Sequence, residues 1–364
     1  MDANDKTDRL TWAALAGFPK LDSLKLRNLQ KHFPQGDKIL FADVTELMAA
    51  GLKSETAEAL ATARKEFDLE KLEKDLAVDK IEVIIFGDAE YPKRLAQIPD
   101  PPAVLFRRGA PLRNLPLLAV VGSRKMTPYG AFAIQKIVPE LVARGFVIVS
   151  GLALGCDAKA HQEAADAGGL TLAVLGSGLN DLCLHPPSNR ALARKILETD
   201  GSLLSEYSPG TPPLPYHFPV RNRIIAGLSL ATIVIEAEED SGSLITAHLA
   251  LDYNREVFAV PGPISSGASL GTNRLLKMGA HPLTEVRDIL EVLDFQDLEA
   301  EEKPALELNS EERLILENLQ RNPMSVDELS ESSKLPVPVL TSNLTMLELK
   351  GLVTRIGTSW LAKN

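Results

Sequence analysis

The stretch Leu117-Leu118-Ala119-Val120-Val121-Gly122-Ser123-Arg124-Lys125 decides how the chain is read. Five apolar residues stop at a glycine, and a hydroxyl and two cations follow. A short strand that is apolar at every position is buried on both faces, as in a parallel sheet between helices. The unit recurs downstream. Phe146–Val149 ends at Ser150-Gly151, Leu170–Leu175 at Gly176-Ser177-Gly178, and Leu203–Leu204 at Ser205-Glu206. Ala231–Ile235 ends at Glu236, and Glu256–Val260 at Pro261-Gly262-Pro263. Helical stretches separate several of these strands. The pattern predicts an α/β fold over residues 80–293, a doubly wound, Rossmann-like, mostly parallel sheet. Ligands of such sheets sit beyond the carboxyl ends of the strands, where most of these turns fall.

Upstream, residues 1–79 read as a small helical domain. Apolar residues recur at helical spacing in Leu10–Leu15, Leu24–His32, Val44–Ala50 and Thr56–Phe67, with Pro19, Pro34 and Gly51 between them. Gly17-Phe18-Pro19-Lys20-Leu21, between two helices, suggests a SAM-like or helix-hairpin-helix-like module that grips phosphates through backbone N–H groups. A second glycine expected of that hairpin is missing, and a plain packing domain is the alternative. Residues 80–105 read as a connector, with a strand at Ile81–Phe86, a short helix opening at Tyr91–Leu95, and an extended path through Pro99, Pro101 and Pro102. Downstream, 294–309 is an acidic linker and 310–364 a winged helix. Its helices are expected from Ser310, as cap, through Leu319, over Ser325–Ser330 and over Val337–Lys350. Its wing is expected at Leu352–Ile356 and Trp360–Ala362.

Charge and composition limit the function. The 364 residues are 45% hydrophobic, enough for at least one sizeable core. The net charge is -10, concentrated in the flanks and nearly balanced in the middle. A wholly basic nucleic-acid binder is excluded, and a local basic patch in the neutral middle is not. The longest run without Asp, Glu, Lys or Arg is Val257–Asn273, 17 residues rich in Gly, Ser and Pro. It is too short and too polar to span a bilayer. The polar N-terminal stretch has no signal-peptide pattern, and the 2 cysteines, Cys156 and Cys183, make no disulfide framework. A reducing cytoplasm is the expected compartment, with no membrane partner.

The turn Gly122-Ser123-Arg124-Lys125 lacks the later glycines of the dinucleotide fingerprint, so a nicotinamide cofactor loses its support. The turn instead offers backbone N–H groups, a hydroxyl and two cations, an anion site suited to phosphate; strand–turn packing is the alternative. The segment His217-Phe218-Pro219-Val220-Arg221-Asn222-Arg223 sets two arginines around an asparagine, after a phenylalanine. Arginine grips phosphate bidentately and an aromatic ring stacks on a base. The other reading is an Arg–carboxylate network with Glu206 or Glu236 plus a core Phe, and each arginine can do a different job. Ser241, Gly242, Ser243 and Thr246 open a helix and either cap it or cradle an anion. Asn273 and Lys277, with Arg274, could add donors to the same cleft. No metal motif, Walker lysine motif or G-x-S-x-G elbow is present, and no cofactor is expected. Asp157 and His161 are expected as a surface or capping pair rather than a catalytic dyad. Cys156 is read as a small buried residue rather than a reactive thiol. The third helix of the winged domain has no Arg or Lys over Leu335–Leu349, which points to protein contact rather than DNA reading.

These motifs, in this order, resemble the DNA-processing protein A family (DprA, also called Smf). The resemblance runs from Tyr91-Pro92-Lys93-Arg94-Leu95 through Gly122-Ser123-Arg124 and the stretches 150–161 and 205–229. It continues through Ser241–Ala247 and 257–263, ending at 271–280. It covers residues 80–290. It implies a recombination mediator, not an enzyme, that binds single-stranded DNA, dimerises and loads the RecA recombinase in natural transformation. It carries ligand roles onto Gly122, Ser123 and Arg124 and onto Phe218–Arg223. Two departures stand out. His185 precedes Pro186 where the family pattern has Tyr, a change in a pocket wall. No lysine stands just before Phe218, which implies a less basic pocket with weaker or more salt-sensitive binding. The rival is a LOG-like nucleoside-monophosphate hydrolase, whose Gly-rich turn carries a catalytic Glu. The corresponding turn here, Ser241–His248, has no acid.

Overall fold

A computed structural model of the chain describes residues 3–111, 115–295, 309–321, 324–350, 352–356 and 359–362. Most of the linker expected at 294–309 lies outside these residues. The first unit, Met1–Leu298, is built on a sheet of nine strands. They are β1 (Ile81–Ile85), β2 (Val104–Gly109), β3 (Leu117–Val121), β4 (Val147–Ser150) and β5 (Thr171–Leu175), then β6 (Ser202–Ser205), β7 (Ala231–Val234), β8 (Glu256–Ala259) and β9 (His281–Pro282). Their spatial order is β1-β2-β6-β5-β4-β3-β7-β8-β9. From β6 to β9 every pair is parallel, while β2 runs antiparallel to both β1 and β6. The segment read as a connector is therefore part of the sheet. Its second strand escaped the sequence reading because Pro99, Pro101 and Pro102 directly precede it, masking Val104-Leu105-Phe106 as more extended chain.

The unbroken apolar strands serve two cores. Leu118 and Val120 of β3 face the helices Pro128–Ala143 and Cys156–Asp166, with Ile134, Ile148, Ala160 and Phe258. Their neighbours Ala119 and Val121 face the helices His217–Leu228 and Gly242–Asp252, with Val149, Val174, Ile225 and Ala247. Period-two alternation with no polar side leaves no solvent face, so both must be covered. Each fully buried aliphatic side chain contributes roughly 1.5–3 kcal/mol.

The N-terminal helices share a third core with the sheet. Trp12, Leu15, Leu29, Leu47 and Leu60 cluster with Phe106, Ala173, Leu175 and Leu203. Between the helices Ala3–Ala16 and Ser23–His32, the amides of Gly17, Phe18 and Leu21 donate to Ala14, Leu15 and Phe18 within the chain. Those donors are engaged locally rather than presented to a phosphate.

The second unit, Glu299–Asn364, contains the helices Ser310–Arg321, Val326–Ser333 and Val337–Leu349. Strands β10 (Met324–Ser325), β11 (Val353–Ile356) and β12 (Ser359–Ala362) form a small antiparallel sheet. Ile315, Leu319, Leu329, Leu340, Leu344, Val353 and Trp360 fill its core. The cap of its first helix is Asn309, not Ser310: Asn309 Oδ1 accepts from the Glu312 amide at 2.7 Å, and Glu312 Oε2 accepts from the Asn309 amide at 2.9 Å. No helix among the described residues is long and apolar enough to cross a membrane.

Candidate nucleic-acid interface

Strand β3 has β4 on one side and β7 on the other. The chain runs outward from β3 through β4, β5 and β6 and then crosses back to β7 on the other side of β3, so the strand order reverses there and a crevice opens at the carboxyl ends of these strands. A cleft of about 600 Å3 lies there. It is lined by Val121–Lys125 after β3, Ala153 and Asp157 after β4, the first turns of the helix His217–Leu228, and residues from Glu238 to Thr246 after β7.

The first turn is pinned from three directions. The Ser123 amide donates to Glu236 O at 2.8 Å, Ser123 Oγ accepts from the Lys125 amide at 3.0 Å, and Ser123 O accepts from the Cys156 amide at 3.1 Å. Gly122 is required by proximity: a Cβ there would lie 2.6 Å from Cys156 Sγ. Cys156 is fully buried, and burial pushes its thiol well above the usual range, as an inert packing residue requires. Arg124 and Lys125 emerge exposed from this rigid turn. Among the described residues Glu236 makes no arginine pair. It accepts from the Thr127 amide at 2.8 Å and from the Thr127 hydroxyl, holding the start of the next helix.

The two arginines divide the work. Arg221 lies on the cleft floor, 4% exposed. Its Nη1 donates to Gly151 O at 2.8 Å and to Val174 O, and its Nε donates to Asn222 Oδ1 at 3.2 Å. Gly151 permits this, since a Cβ there would stand 2.5 Å from the guanidinium. Burial pulls Arg221 down to about 10, against the pull of Asp157. Asp157 accepts from the amides of Gly151 at 3.1 Å and Ala153 at 3.4 Å. Burial raises its pKa, and Arg221 counters. Arg223 stands outside the cleft. It makes a two-pronged pair with Glu206 at 2.9 and 2.6 Å and a third contact with Asp100 at 3.0 Å. Although burial opposes its charge, Glu206 holds Arg223 above its ordinary value. The carboxylate network foreseen as an alternative is thus Arg223 with Glu206.

Phe218 is half-buried in the first turn of its helix, with the Arg124 guanidinium 5.8 Å from its ring centre. No cation precedes it. His217 is buried, stacked on Tyr207 at 3.9 Å, with Nδ1 3.1 Å from Gly176 O. Burial depresses its pKa. On the far wall Ser241 caps the helix Gly242–Asp252, its Oγ 2.7 Å from Ser243 Oγ. Gly242, Ser243 and Thr246 also line the cleft, and Asn222 Nδ2 donates to Gly242 O at 3.4 Å. A helix N-terminus at this wall favours negative charge.

Eleven of the residues singled out from the sequence therefore meet in one cleft, from Gly122 to Thr246. Arg223, Asn273 and Lys277 are not among its lining. Asn273 ties down the 262 loop instead, donating to Gly262 O at 3.1 Å. Lys277 lies exposed on the last turn of the helix Leu270–Lys277. Pro219, inside the Phe218–Arg223 stretch already singled out, lines the cleft as well. The sequence reading missed Pro215 and Ile245, which give the cleft apolar surface, and Glu238 and Asp240, exposed carboxylates on its wall. The signal for the acids was the run Glu238-Glu239-Asp240 directly before Ser241. The Asp157–His161 pair is not on the surface either. Both are buried, His161 Nδ1 lies 2.6 Å from Thr171 Oγ1, and burial, reinforced by Arg221, lowers His161 to about 3.

The family model for DNA recombination-mediator protein A matches residues 82–294, and that for the DprA winged helix domain matches residues 299–357. The chain belongs to the DNA recombination-mediator protein A family. Within it, the chain is 40% identical to protein Smf of Escherichia coli K12 over 284 residues, 75% of each chain. It is 45% identical to the DNA processing protein DprA of Streptococcus pneumoniae R6 over 206 residues, 56% of this chain and 72% of that one. The X-ray structure of DprA from Streptococcus pneumoniae superposes with a TM-score of 0.67 and 34% identity, covering 81% of this chain and 99% of that one. The DNA processing protein A of Helicobacter pylori, solved to explain its single-stranded DNA binding mode, matches with a TM-score of 0.52 and 29% identity. That match covers 59% of this chain and 95% of the Helicobacter pylori one. The DprA-type assignment agrees with the mostly parallel sheet and the winged helix already described.

Proposed function

We propose that the chain binds single-stranded DNA in the switch-point cleft and acts as a recombination mediator, delivering the strand to a RecA recombinase. The reading rests on one juxtaposition: the exposed cations Arg124 and Lys125 on a rigid turn, beside the half-buried Phe218 ring. Phosphates are held by the cations and by the N-terminus of the helix Gly242–Asp252, and one base stacks on Phe218. Arg221 shapes the floor and adds positive potential without leaving its carbonyl partners. Dimerisation, protection of incoming DNA and a cytoplasmic setting belong to the same reading. The acidic winged helix serves a protein contact, because its third helix offers DNA no cation.

A nucleotide-hydrolase reading needs a carboxylate aimed at a sugar. Asp157 is engaged by two backbone amides. Glu238 and Asp240 sit exposed on the wall, where their charge opposes a phosphate strand. Asp240→Asn is therefore expected to tighten oligothymidine binding by about threefold at low salt, with the gain vanishing as salt screens the repulsion. Isothermal titration at two ionic strengths checks this.

The deciding experiment is fluorescence anisotropy with labelled oligothymidine and a matched duplex across a salt series. Salt-dependent preference for the single strand is expected. Arg124→Ala should weaken binding to all sequences and lower the salt slope by roughly one phosphate contact. An unchanged affinity and slope removes Arg124 from the site. No binding at low salt, with release of free base from a nucleoside monophosphate, replaces the reading by the hydrolase.

A further inference from the structure

Phe218 touches a second ring. The imidazole of His185 lies 5.6 Å from the Phe218 centre, tilted by 38°. It is exposed, and it stands beyond the residues that line the cleft. Its backbone is firmly placed. Leu184 is buried just before it. Arg190 donates to Leu182 O at 2.7 Å and to Leu184 O at 3.3 Å. Asn189 donates to Leu152 O at 2.9 Å and to Ala153 O at 3.2 Å, fastening this loop to the one that forms the cleft wall. An exposed aromatic ring held by a fixed loop, next to the ring that takes a base, is a surface ready for another base.

We propose that His185 extends the nucleic-acid site past Phe218, as a stacking surface for the base next to the one on Phe218. The inference rests on the single-strand reading above. Stacked bases rise by about 3.4 Å along one strand. A 5.6 Å separation with a tilt between the rings suits a strand whose bases are opened apart as it leaves the cleft, each lying on its own ring. The contact is with the base face, so it is tolerant of sequence and adds no phosphate contact. His185 thus acts as a binding residue that lengthens the footprint by a nucleotide and leaves the ionic part of the affinity to Arg124 and Lys125.

The test uses the full chain and oligothymidine. His185→Ala is expected to weaken binding about five- to tenfold, as loss of one base–aromatic stack does, with the salt slope unchanged. His185→Tyr should restore affinity to within about twofold, since stacking needs an aromatic face and not an imidazole. Oligomers carrying 5-iododeoxyuridine at one position at a time should photocrosslink to Phe218 and to His185 from neighbouring nucleotides. Thermal melting confirms that both variants keep the parent's fold, as expected for an exposed side chain. The inference is overturned if His185→Ala binds like the parent, if Tyr does not restore the loss, or if the slope falls as it does in Arg124→Ala. A parent that binds single strands with an unaffected His185→Ala variant removes this inference alone. A parent that binds no single strand removes it together with the reading it rests on.

Discussion

Arg223→Met is expected to unfold the sheet unit at markedly lower denaturant while leaving the cleft's affinity for a strand, measured where the variant is folded, within about twofold of the parent. The reason is the environment of Glu206, whose side chain is 11% exposed and receives both prongs of the guanidinium. Without Arg223, Glu206 is left as a buried and unpaired carboxylate. Breaking a buried pair from one side costs about 3–5 kcal/mol. The remaining link to Asp100 is also lost, and with it one anchor of the 99–102 segment. Urea melts followed by circular dichroism measure the loss. The double variant Arg223→Met with Glu206→Leu should recover most of it, because a well-packed apolar pair replaces a desolvated ionic one. If Arg223→Met keeps parental stability but loses DNA binding, Arg223 is a ligand contact and its carboxylate partners are incidental.

Gly155→Ala is expected to damage stability and binding together. Gly155 has φ +75° and ψ -124°, and a Cβ there would run into Ser123 O and lie 2.7 Å from Arg124 O. Backbone of this kind costs a non-glycine residue about 1–3 kcal/mol, and the steric conflict adds a further 1–3 kcal/mol or so. The conflict is with main-chain oxygens, not with the end of a flexible side chain. Relief therefore requires the Gly122–Lys125 turn to move away from the helix Cys156–Asp166. That displaces Arg124 and Lys125, and affinity for a single strand should fall by more than tenfold, since a misplaced contact of about 1.4 kcal/mol is already tenfold. Gly168→Ala is the control for backbone strain, with φ +73° and nothing within 4 Å of the added Cβ. It should lose some stability and keep its affinity. Equal loss of binding in both variants would show that general loosening, not the turn, governs the site.

Much of this fold was legible because its strands are uniformly apolar and end at small-residue turns. A strand such as Leu117–Val121 has no polar side to mislead, and Gly122 marks its end. The missed strand Val104–Gly109 lies against proline-rich sequence, and its antiparallel pairing depends on β6, nearly a hundred residues away, which no local pattern reports. The cleft was legible where a lining residue closely follows a strand end, as Arg124 follows β3, or caps the next helix, as Ser241 does. It was not legible where a residue's place depends on which side of a helix faces the cleft. Arg221 and Arg223 are two positions apart, so on a helix they point to different sides, and only the packing against Gly151 or Glu206 decides which is which. Asn273 and Lys277 follow a glycine-rich loop resembling those at the cleft, but β8 lies one strand further from the switch point. Glu238 and Asp240 were hidden by the opposite fault: an acidic run is usually solvated surface, and here part of it is also a wall.

The helix Ala3–Ala16 packs beside β1, the outermost strand on its side of the sheet, and Arg9 Nη1 donates to Val83 O at 3.0 Å. At the opposite border β9 has two residues, one of them Pro282, which brings no amide hydrogen. Each border thus denies a foreign strand a ladder to join, one by a helical shield and the other by brevity and a missing donor. The sheet is thereby blunted against fibrous, copy-to-copy growth, and encounters between copies are left to side-chain surfaces rather than to open backbone.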